Sequence, residues 1–592
     1  MESLPPQDGK ARISNVRLLI RAALVFAIIG VCVVFMRPHW TRVMTWGLGD
    51  NDDAMRVLQI KDWLLGQAWY DVSQHRLTPV EGGNMHWSRL SDLPLALLMW
   101  PAMALFGPEL GPHYATFATP VLLCIVYVFV ATVTARQLGG KLAMLIAMPM
   151  CASASSAMGY FMPGRVDHHG LQIILICATL WGLFSSAARG HVLAGIAIAA
   201  GICIGLEALP LQVCIIGWVA LRWGLRGRGA QEQTLAFSLG FGLALVALFC
   251  ATVPPENWAR PVNDAIGRGY VILGCLGAGL LTIAARWMSG NTIFVRLTAL
   301  GAIALALGLV IPFVPEILSP PYKSVDPMLV QLWLRNVNET QPLWESKPSL
   351  FIGHAVFPCL AVIAATAAMI HAPKDKRDQW ALAALTVCVA AGLAVFWQVR
   401  TSGLAAAVSG IMASAALAQA VERSKGRTIL LLALFVNPVT PLLVSAVMNK
   451  MSKPESNAIK TGGGDRCYTK ASFAGLSNKE PGLVVAPIDM GARILLTTPH
   501  RVLAAPYHRN NAGNLAAYNI FLAPSADAQA LATGLGAKYL AICKRSAENS
   551  ILSKKNPKGL MADLKAGRVP DWLKPIPVAK GSDVRAYEIK SR

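Results

Sequence analysis

Charged side chains are scarce in this chain. They make up 14% of its 592 residues, whereas hydrophobic residues make up 54%. Soluble domains carry about 25% charged residues, so the composition excludes an ordinary soluble protein. The sequence also lacks a Walker loop and a glycine-rich dinucleotide motif, and it shows no internal repeat. It has instead a series of apolar runs of about 20 residues, which predicts a polytopic α-helical membrane protein.

Basic residues outnumber acidic ones, 53 to 32, and the excess is unevenly distributed. Short Arg and Lys clusters alternate with the apolar runs, where the positive-inside rule expects cytoplasmic loops. The remaining positive charge belongs to the C-terminal third, where it could face anionic lipid or a phosphate-bearing substrate. The net charge of +21 therefore does not indicate nucleic-acid binding.

The basic clusters predict a topology of about thirteen transmembrane helices. The predicted spans are residues 22–36, 115–135, 142–158, 171–187, 192–209, 211–221, 235–253, 271–285, 293–314, 350–370, 381–397, 404–421 and 429–447. No small-residue cleavage site follows the first span, which is interpreted as a signal anchor with a cytoplasmic N-terminus. Residues 93–106 are too short to span comfortably and contain Pro101, which favours an interfacial or re-entrant segment.

The composition changes after the last predicted span. We expect a membrane domain over residues 1–448, with outer loops at 37–92, 159–169 and 315–348, then a linker over 449–464 and an extracytoplasmic α/β domain over 465–592. In that domain, residues 483–487, 494–498 and 538–543 are predicted strands, and residues 525–535 a helix. Cys467 and Cys543 lie there and could pair in an oxidising compartment, which the sequence does not decide.

The stretch Tyr160-Phe-Met-Pro-Gly-Arg-Val-Asp-His-His-Gly170 places charged and metal-binding residues between two apolar runs. Placing such residues at a membrane boundary costs free energy, and they often mark a functional site. Asp167 and His169 lie two positions apart, so an extended segment would direct both side chains the same way. A carboxylate and an imidazole together favour a divalent-metal site. The alternative is a polar loop that only joins two helices.

The first outer loop carries a second group of acids, Asp50, Asp52 and Asp53. They are candidates for metal ligands or a general base. The alternative is that Asp50 or Asp52 caps the amphipathic helix predicted over residues 54–65.

Two more outer-face residues are candidates. Glu339 lies in the long loop 315–348, where a solvated acid is the alternative interpretation. Arg400 stands at an outer helix boundary, where it could bind a phosphate or simply extend to the interface.

Together these features resemble the GT-C glycosyltransferases, and within them the catalytic subunit of oligosaccharyltransferase in its single-subunit archaeal and bacterial forms. Gly164-Arg-Val-Asp-His-His169 is similar to the Asp-x-His motif of the archaeal proteins, and Asp52-Asp-Ala-Met-Arg56 contains a match to their first-loop Asp. The resemblance implies thirteen spans, an N-terminus inside and a C-terminal domain outside the cell inner (plasma) membrane. It also implies a Mn²⁺ or Mg²⁺ cofactor and a polyprenyl-linked sugar donor.

The resemblance also assigns roles to individual residues. The implied metal ligands are Asp53, Asp167 and His169. The implied catalytic carboxylates are Asp53, its neighbour Asp52, and Glu339. The cations expected at the donor phosphate are Arg400 and Arg165.

One departure concerns the acceptor. The family's C-terminal domain opens with Trp-Trp-Asp-x-Gly, whereas this chain has Pro487-Ile-Asp-Met-Gly491. Both Trp are absent, so an Asn-x-Ser/Thr acceptor is not carried over. Asp489, His508 and Arg509 are the candidate acceptor-binding residues, and the alternative is that residues 487–491 form a strand-to-turn junction.

The expected function is therefore metal-assisted transfer of a sugar or oligosaccharide from a polyprenyl phosphate or diphosphate to an extracytoplasmic glycan, lipid or protein. A transporter or flippase of a lipid-linked glycan is the alternative from another class. The absence of repeated halves and of paired broken helices argues against it. A closer rival transfers one sugar from a polyprenyl monophosphate.

Overall fold

A computed structural model describes residues 36, 38–78, 82–423, 436–451 and 466–590 of the chain. Its membrane part is helical, and seven helical stretches of the described residues are long and apolar enough to cross a membrane. In chain order, the helices after the first outer loop are Leu93–Ser153, His169–Phe184, Ala188–Ile204, Leu209–Arg226, Gln231–Thr252, Arg268–Met288, Ile293–Val310, Pro348–Ile370, Arg377–Phe396, Ser402–Arg423 and Val439–Met451.

The longest of these helices, Leu93–Ser153, is broken by glycines. Gly107 and Gly140 have φ of 80° and 75°, which only glycine adopts readily, and they divide the helix into three segments. With these breaks, each predicted span between residues 115 and 421 has a helical counterpart, and the predicted polytopic fold is confirmed. The predicted span 22–36, part of 429–447 and most of the linker 449–464 lie outside the described residues.

Helix Ser402–Arg423 forms the centre of the bundle. Every residue from Ser402 to Ala418 is buried, and most of them are Ala, Gly or Ser. Small side chains let neighbouring helices approach closely in a membrane. A Cβ added at Gly139 would lie 2.9 Å from the backbone of Ala415, so that helix crossing requires glycine.

The C-terminal region carries a five-stranded mixed sheet. In spatial order its strands are Arg501–Val502, Leu483–Val485, Ala537–Cys543, Val584–Ile589 and Leu573–Ile576. Its helices are Ala474–Ser477, Gly491–Thr497, Asn511–Leu522, Ser525–Gly534, Ala547–Lys555 and Leu560–Ala566. The predicted small α/β fold is confirmed, and Cys467 forms a disulfide with Cys543.

One predicted strand is wrong. Residues 494–498 were expected to be extended, but they belong to helix Gly491–Thr497 and its C-cap. This helix packs against helix Asn51–Leu64 and is buried at six of its seven positions. A short run buried on nearly every side has no periodicity that distinguishes a helix from a strand.

The sheet region is attached to the first outer loop by main-chain hydrogen bonds. Val502 N donates to Arg76 O, and Thr78 N donates to Val502 O, both at 2.9 Å. The Arg76 guanidinium also donates to the carbonyls of Leu495 and Thr498. These bonds fix the sheet region against the predicted first outer loop.

Candidate functional site

The acids of the first outer loop lie at the start of helix Asn51–Leu64. Asp50 is its N-cap and accepts a 3.3 Å hydrogen bond from Asp52 N, which confirms the capping interpretation for Asp50. Asp52 and Asp53 occupy the first turn, where the helix dipole favours negative charge. Because successive helical positions point in different directions, these two neighbours have different surroundings.

Asp53 is fully buried and its oxygens already have partners. Oδ1 accepts from Val166 N at 2.8 Å and from Asp167 N at 3.2 Å. Oδ2 lies 3.1 Å from Arg165 Nη1, which also donates to Asp50 Oδ2 at 2.9 Å. Asp53 and Arg165 therefore join the first outer loop to the Asp167 segment.

The Asp-x-His pair comes together, although not in the predicted conformation. His168 is helical, with φ −69° and ψ −16°, and His169 begins helix His169–Phe184. The expected extended segment is therefore wrong. Asp167 Oδ2 and His169 Nδ1 nevertheless lie 3.2 Å apart, because the chain turns into the helix between them.

Sequence reasoning missed His168 and its partners. His168 Nδ1 lies 2.6 Å from Asp167 Oδ1, and its Nε2 lies 3.3 Å from Glu207 Oε1. Arg56 Nη2 approaches His168 Nδ1 at 3.4 Å. Glu207 ends an apolar run at the outer boundary, and an acid in that position is itself a signal of function.

A cavity of about 650 Å³ opens between the membrane helices and the sheet region. From the membrane side it is lined by Asp52, Glu207, Glu339 and Arg400. Arg400 Nη1 lies 4.0 Å from Glu207 Oε1, and Arg400 Nε donates to Gln398 Oε1 at 2.7 Å. Arg400 is therefore a positioned cation at the edge of an acidic cavity.

Negative charge accumulates on this wall of the cavity. Burial, with the charges of Asp50, Asp167 and Glu339, raises the pKa of Asp52 well above its ordinary value. Desolvation in the cavity, with the charges of Asp50 and Asp167, also raises the pKa of Glu339 to about 7, although its side chain is exposed at the cavity mouth. A bound divalent cation would be the largest local charge and would offset this repulsion.

The ligand atoms of Asp167, His168 and His169 all lie within 4.8 Å of one another. His169 Nδ1 is buried and has no hydrogen-bond partner within the described ranges, although Asp167 Oδ2 is near. Asp52 and Glu339 add carboxylate charge beside this group. Both ring nitrogens of His168 already lie close to carboxylates, so His169 is the imidazole that remains to bind an ion. These residues therefore form a candidate divalent-metal site.

The opposite wall of the cavity belongs to the sheet region and carries Asp489. Glu548, which no sequence motif marked, accepts from Ile488 N at 2.7 Å and from Asp489 N at 3.1 Å. Burial and the charge of Asp489 raise the pKa of Glu548 to about 8. Burial and Asp50 raise the pKa of Asp489 to about 6. Burial on this wall therefore favours the protonated form of both carboxyl groups, and more strongly that of Glu548.

Gly491 has a packing role of its own. Its φ of −58° is ordinary helical backbone, but an added Cβ would collide with the carbonyl of Ala504. Close packing against Ala504 therefore explains Gly491, which begins a helix and does not form a strand-to-turn junction, while Asp489 lines the cavity.

The other two acceptor candidates are engaged with Asp264. His508 Nε2 lies 2.6 Å from Asp264 Oδ2, and Arg509 holds both carboxylate oxygens, at 2.6 and 2.7 Å. His508 lines the large cavity, whereas Arg509 lines a neighbouring cavity of about 560 Å³.

No protein-family model and no curated protein matches the chain. Among solved structures, archaeal oligosaccharyltransferase AglB from Archaeoglobus fulgidus, in complex with an inhibitory peptide and a dolichol-phosphate, matches with a TM-score of 0.63 and 15% identity, over 92% of this chain and 72% of that one. The A. fulgidus enzyme tethered to a peptide with the NVT sequon matches with a TM-score of 0.63 and 14% identity, over 91% and 70%. Its complex with Zn and sulfate matches with a TM-score of 0.59 and 16% identity, over 87% and 67%. At these identities the likeness shows the fold alone, and the predicted fold of a multi-pass helical membrane protein with a small C-terminal α/β region is confirmed.

Proposed function

We propose that this chain is an integral-membrane glycosyltransferase. It transfers a sugar or oligosaccharide from a polyprenyl phosphate or diphosphate to an extracytoplasmic acceptor. The observation that carries the proposal is the cavity of about 650 Å³, which is lined by Asp52, Glu339 and Arg400 on the membrane side and by Asp489 on the sheet side. A cavity between apolar helices and a polar domain suits a donor with a lipid tail and an anionic head.

The reaction breaks the bond between the anomeric carbon and a phosphate oxygen, and the acceptor oxygen forms the new bond to that carbon. The phosphate leaves with its negative charge, which Arg400 is positioned to offset. The acceptor proton needs a carboxylate base. We assign that role to Asp52 or Glu339, because both face the cavity. Asp53 and Arg165 hold each other and act as positioning residues.

Asp167, His169 and whichever of Asp52 and Glu339 is not the base would hold the metal ion. Mn²⁺ or Mg²⁺ is the proposed ion, and when bound it would neutralise charge on the donor phosphate. The A. fulgidus enzyme solved with Zn supports a divalent site on this fold. Full activity of the wild type after EDTA treatment would remove the metal from the proposal.

The proposed acceptor is a lipid or glycan hydroxyl. Pro487 and Ile488 stand where the resembling family has two Trp, and neither can hydrogen-bond through its side chain. Asp489 remains on the cavity wall to orient a hydroxyl. A sequon peptide and a membrane-lipid extract, each incubated with the protein and a lipid-linked sugar, test this assignment. Efficient transfer to the peptide would refute it, and label confined to the lipid fraction would support it.

The proposed location is the cell inner (plasma) membrane, with the N-terminus in the cytoplasm and the sheet region outside. Mass-spectrometric comparison of glycans and glycolipids, in cells with and without the chain, tests the function. If the chain is a glycosyltransferase, cells without it should contain a glycan or glycolipid that lacks a sugar. If it is a flippase, cells without it should accumulate the complete lipid-linked substrate.

A further inference from the structure

A second group of metal-binding side chains lies apart from the Asp167 segment. It consists of His86, Asp264 and His508, and one ligand atom of each lies within 4.8 Å of the others. His86 follows strand Gly83–Asn84, Asp264 precedes helix Arg268–Met288, and His508 belongs to the sheet region. All three line both the large cavity and its neighbour. Three distant parts of the chain therefore meet at the boundary between two cavities.

The carboxylate of this group is already oriented. Asp264 Oδ2 lies 2.6 Å from His508 Nε2, and Arg509 holds the carboxylate through its Nε and Nη2. Arg509 is held in turn, because its Nη1 donates to Asn84 Oδ1 at 2.6 Å. Hydrogen bonding of a ligating carboxylate by a second group is usual around protein metal ions.

No hydrogen bond within the described chain accounts for the position of the His86 side chain. No residue of the described segments hydrogen-bonds to it, although its ring centre lies 4.8 Å from that of His508. One of its ring nitrogens lies within 4.8 Å of the ligand atoms of Asp264 and His508.

We propose that His86, Asp264 and His508 bind one Zn²⁺ ion. Two imidazoles and one carboxylate form a ligand set that zinc takes together with a water molecule. Imidazole nitrogen selects a transition metal over Mg²⁺, so this ligand set favours zinc. The ion ties the first outer loop and the loop before helix Arg268–Met288 to the sheet region.

The test measures metal content and does not depend on glycosyl transfer. The full chain is purified with a histidine-free affinity tag, loaded with Zn²⁺, dialysed and examined by inductively coupled plasma mass spectrometry. Relative to wild type, His86→Ala and His508→Ala should each lose about one equivalent of zinc. His75→Ala is the matched control, because His75 pairs with Asp71 at 2.7 Å in the same loop and has no third ligand among the described residues. It should keep the wild-type content, and His169→Ala should keep the ion of this second site.

Cobalt substitution gives an independent readout. Co²⁺ in the wild type should produce visible absorption bands of a low-coordinate site, and these bands should be absent in His86→Ala. His86 has no hydrogen bond to lose within the described chain, so this variant should fold, as size-exclusion chromatography can verify. A wild type that retains no zinc, or a folded His86→Ala with undiminished zinc, would overturn the proposal.

Discussion

The carboxylate of Asp53 accepts a 2.8 Å hydrogen bond from the main-chain nitrogen of Val166, 113 residues further along the chain. This buried contact aligns the first outer loop with the Asp167–His169 segment. Asp52, one position earlier, faces the cavity instead. Two adjacent acids thus have different surroundings, because Asp53 is buried against the Val166 segment and Asp52 lines the cavity.

Asp53→Ala should destabilise the fold. The change leaves the buried main-chain nitrogens of Val166 and Asp167 without acceptors, and such losses cost about 1–3 kcal/mol each. Thermal unfolding in detergent measures the effect. Asp52→Ala is the matched control, and it should keep stability within about 0.5 kcal/mol or raise it, because it relieves charge repulsion. Equal destabilisation by the two changes would contradict this difference between the two acids.

Arg400→Ala should lower kcat for sugar transfer by about 10²–10³-fold, since the variant loses a cation at the departing phosphate. Arg400→Lys should recover part of the rate, because lysine keeps the charge without the planar fork. Arg568→Ala serves as the control, because Arg568 pairs with Asp563 on the exposed surface of the sheet region. A rate unchanged in Arg400→Ala would exclude Arg400 from the phosphate site.

Glu548, which lies beside Asp489 on the cavity wall, should make the free energy of unfolding depend on pH. The folded-state pKa of Glu548 is raised to about 8, so the folded protein binds more protons than the unfolded chain over the range from about 5 to about 8. Stability from this group is then fully present near pH 4 and is lost as pH rises through about 8. Glu548→Gln should flatten the dependence of melting temperature on pH. A wild-type melting temperature that rises across this range would contradict the assignment.

Reporter fusions test the topology. A fusion after Arg136 should report the cytoplasm, because a basic turn follows the helical segment there. A fusion after Lys450 should report the outer side, where the sheet region is proposed to lie. An outer signal at Arg136 would mean that residues 93–106 cross the membrane.

Much of the fold could be predicted from the sequence. Apolar runs bounded by Arg and Lys clusters marked the helices, because a membrane requires long apolar segments and orients them by positive charge. The Asp-x-His pair was visible because charged residues are rare at such boundaries. Residues 494–498 could not be predicted, since their burial against helix Asn51–Leu64 removes any periodic pattern.

The finer points of the site depend on contacts across the chain. Neither the hydrogen bonds of Asp53 nor the approach of Glu207 to His168 has a local sequence pattern. The sequence did not distinguish Asp52 from Asp53 as the catalytic carboxylate. Helix Asn51–Leu64 directs their side chains differently, so that Asp52 lines the cavity and Asp53 is buried. Glu548 accepts a hydrogen bond from the main-chain nitrogen of Asp489, 59 residues earlier in the chain. Only the folded sheet region brings these two residues together.

The central claim is tested most directly by sugar transfer with purified protein. Wild type and Asp167→Asn are incubated in detergent with a labelled polyprenyl-phosphate sugar, a membrane-lipid extract and Mn²⁺, and released polyprenyl phosphate and labelled product are quantified. We expect equal amounts of both from the wild type, their loss after EDTA, and at least about 10²-fold less from Asp167→Asn. Equal release and transfer by wild type and a correctly folded Asp167→Asn, or lipid movement without any cleaved donor, would contradict the account.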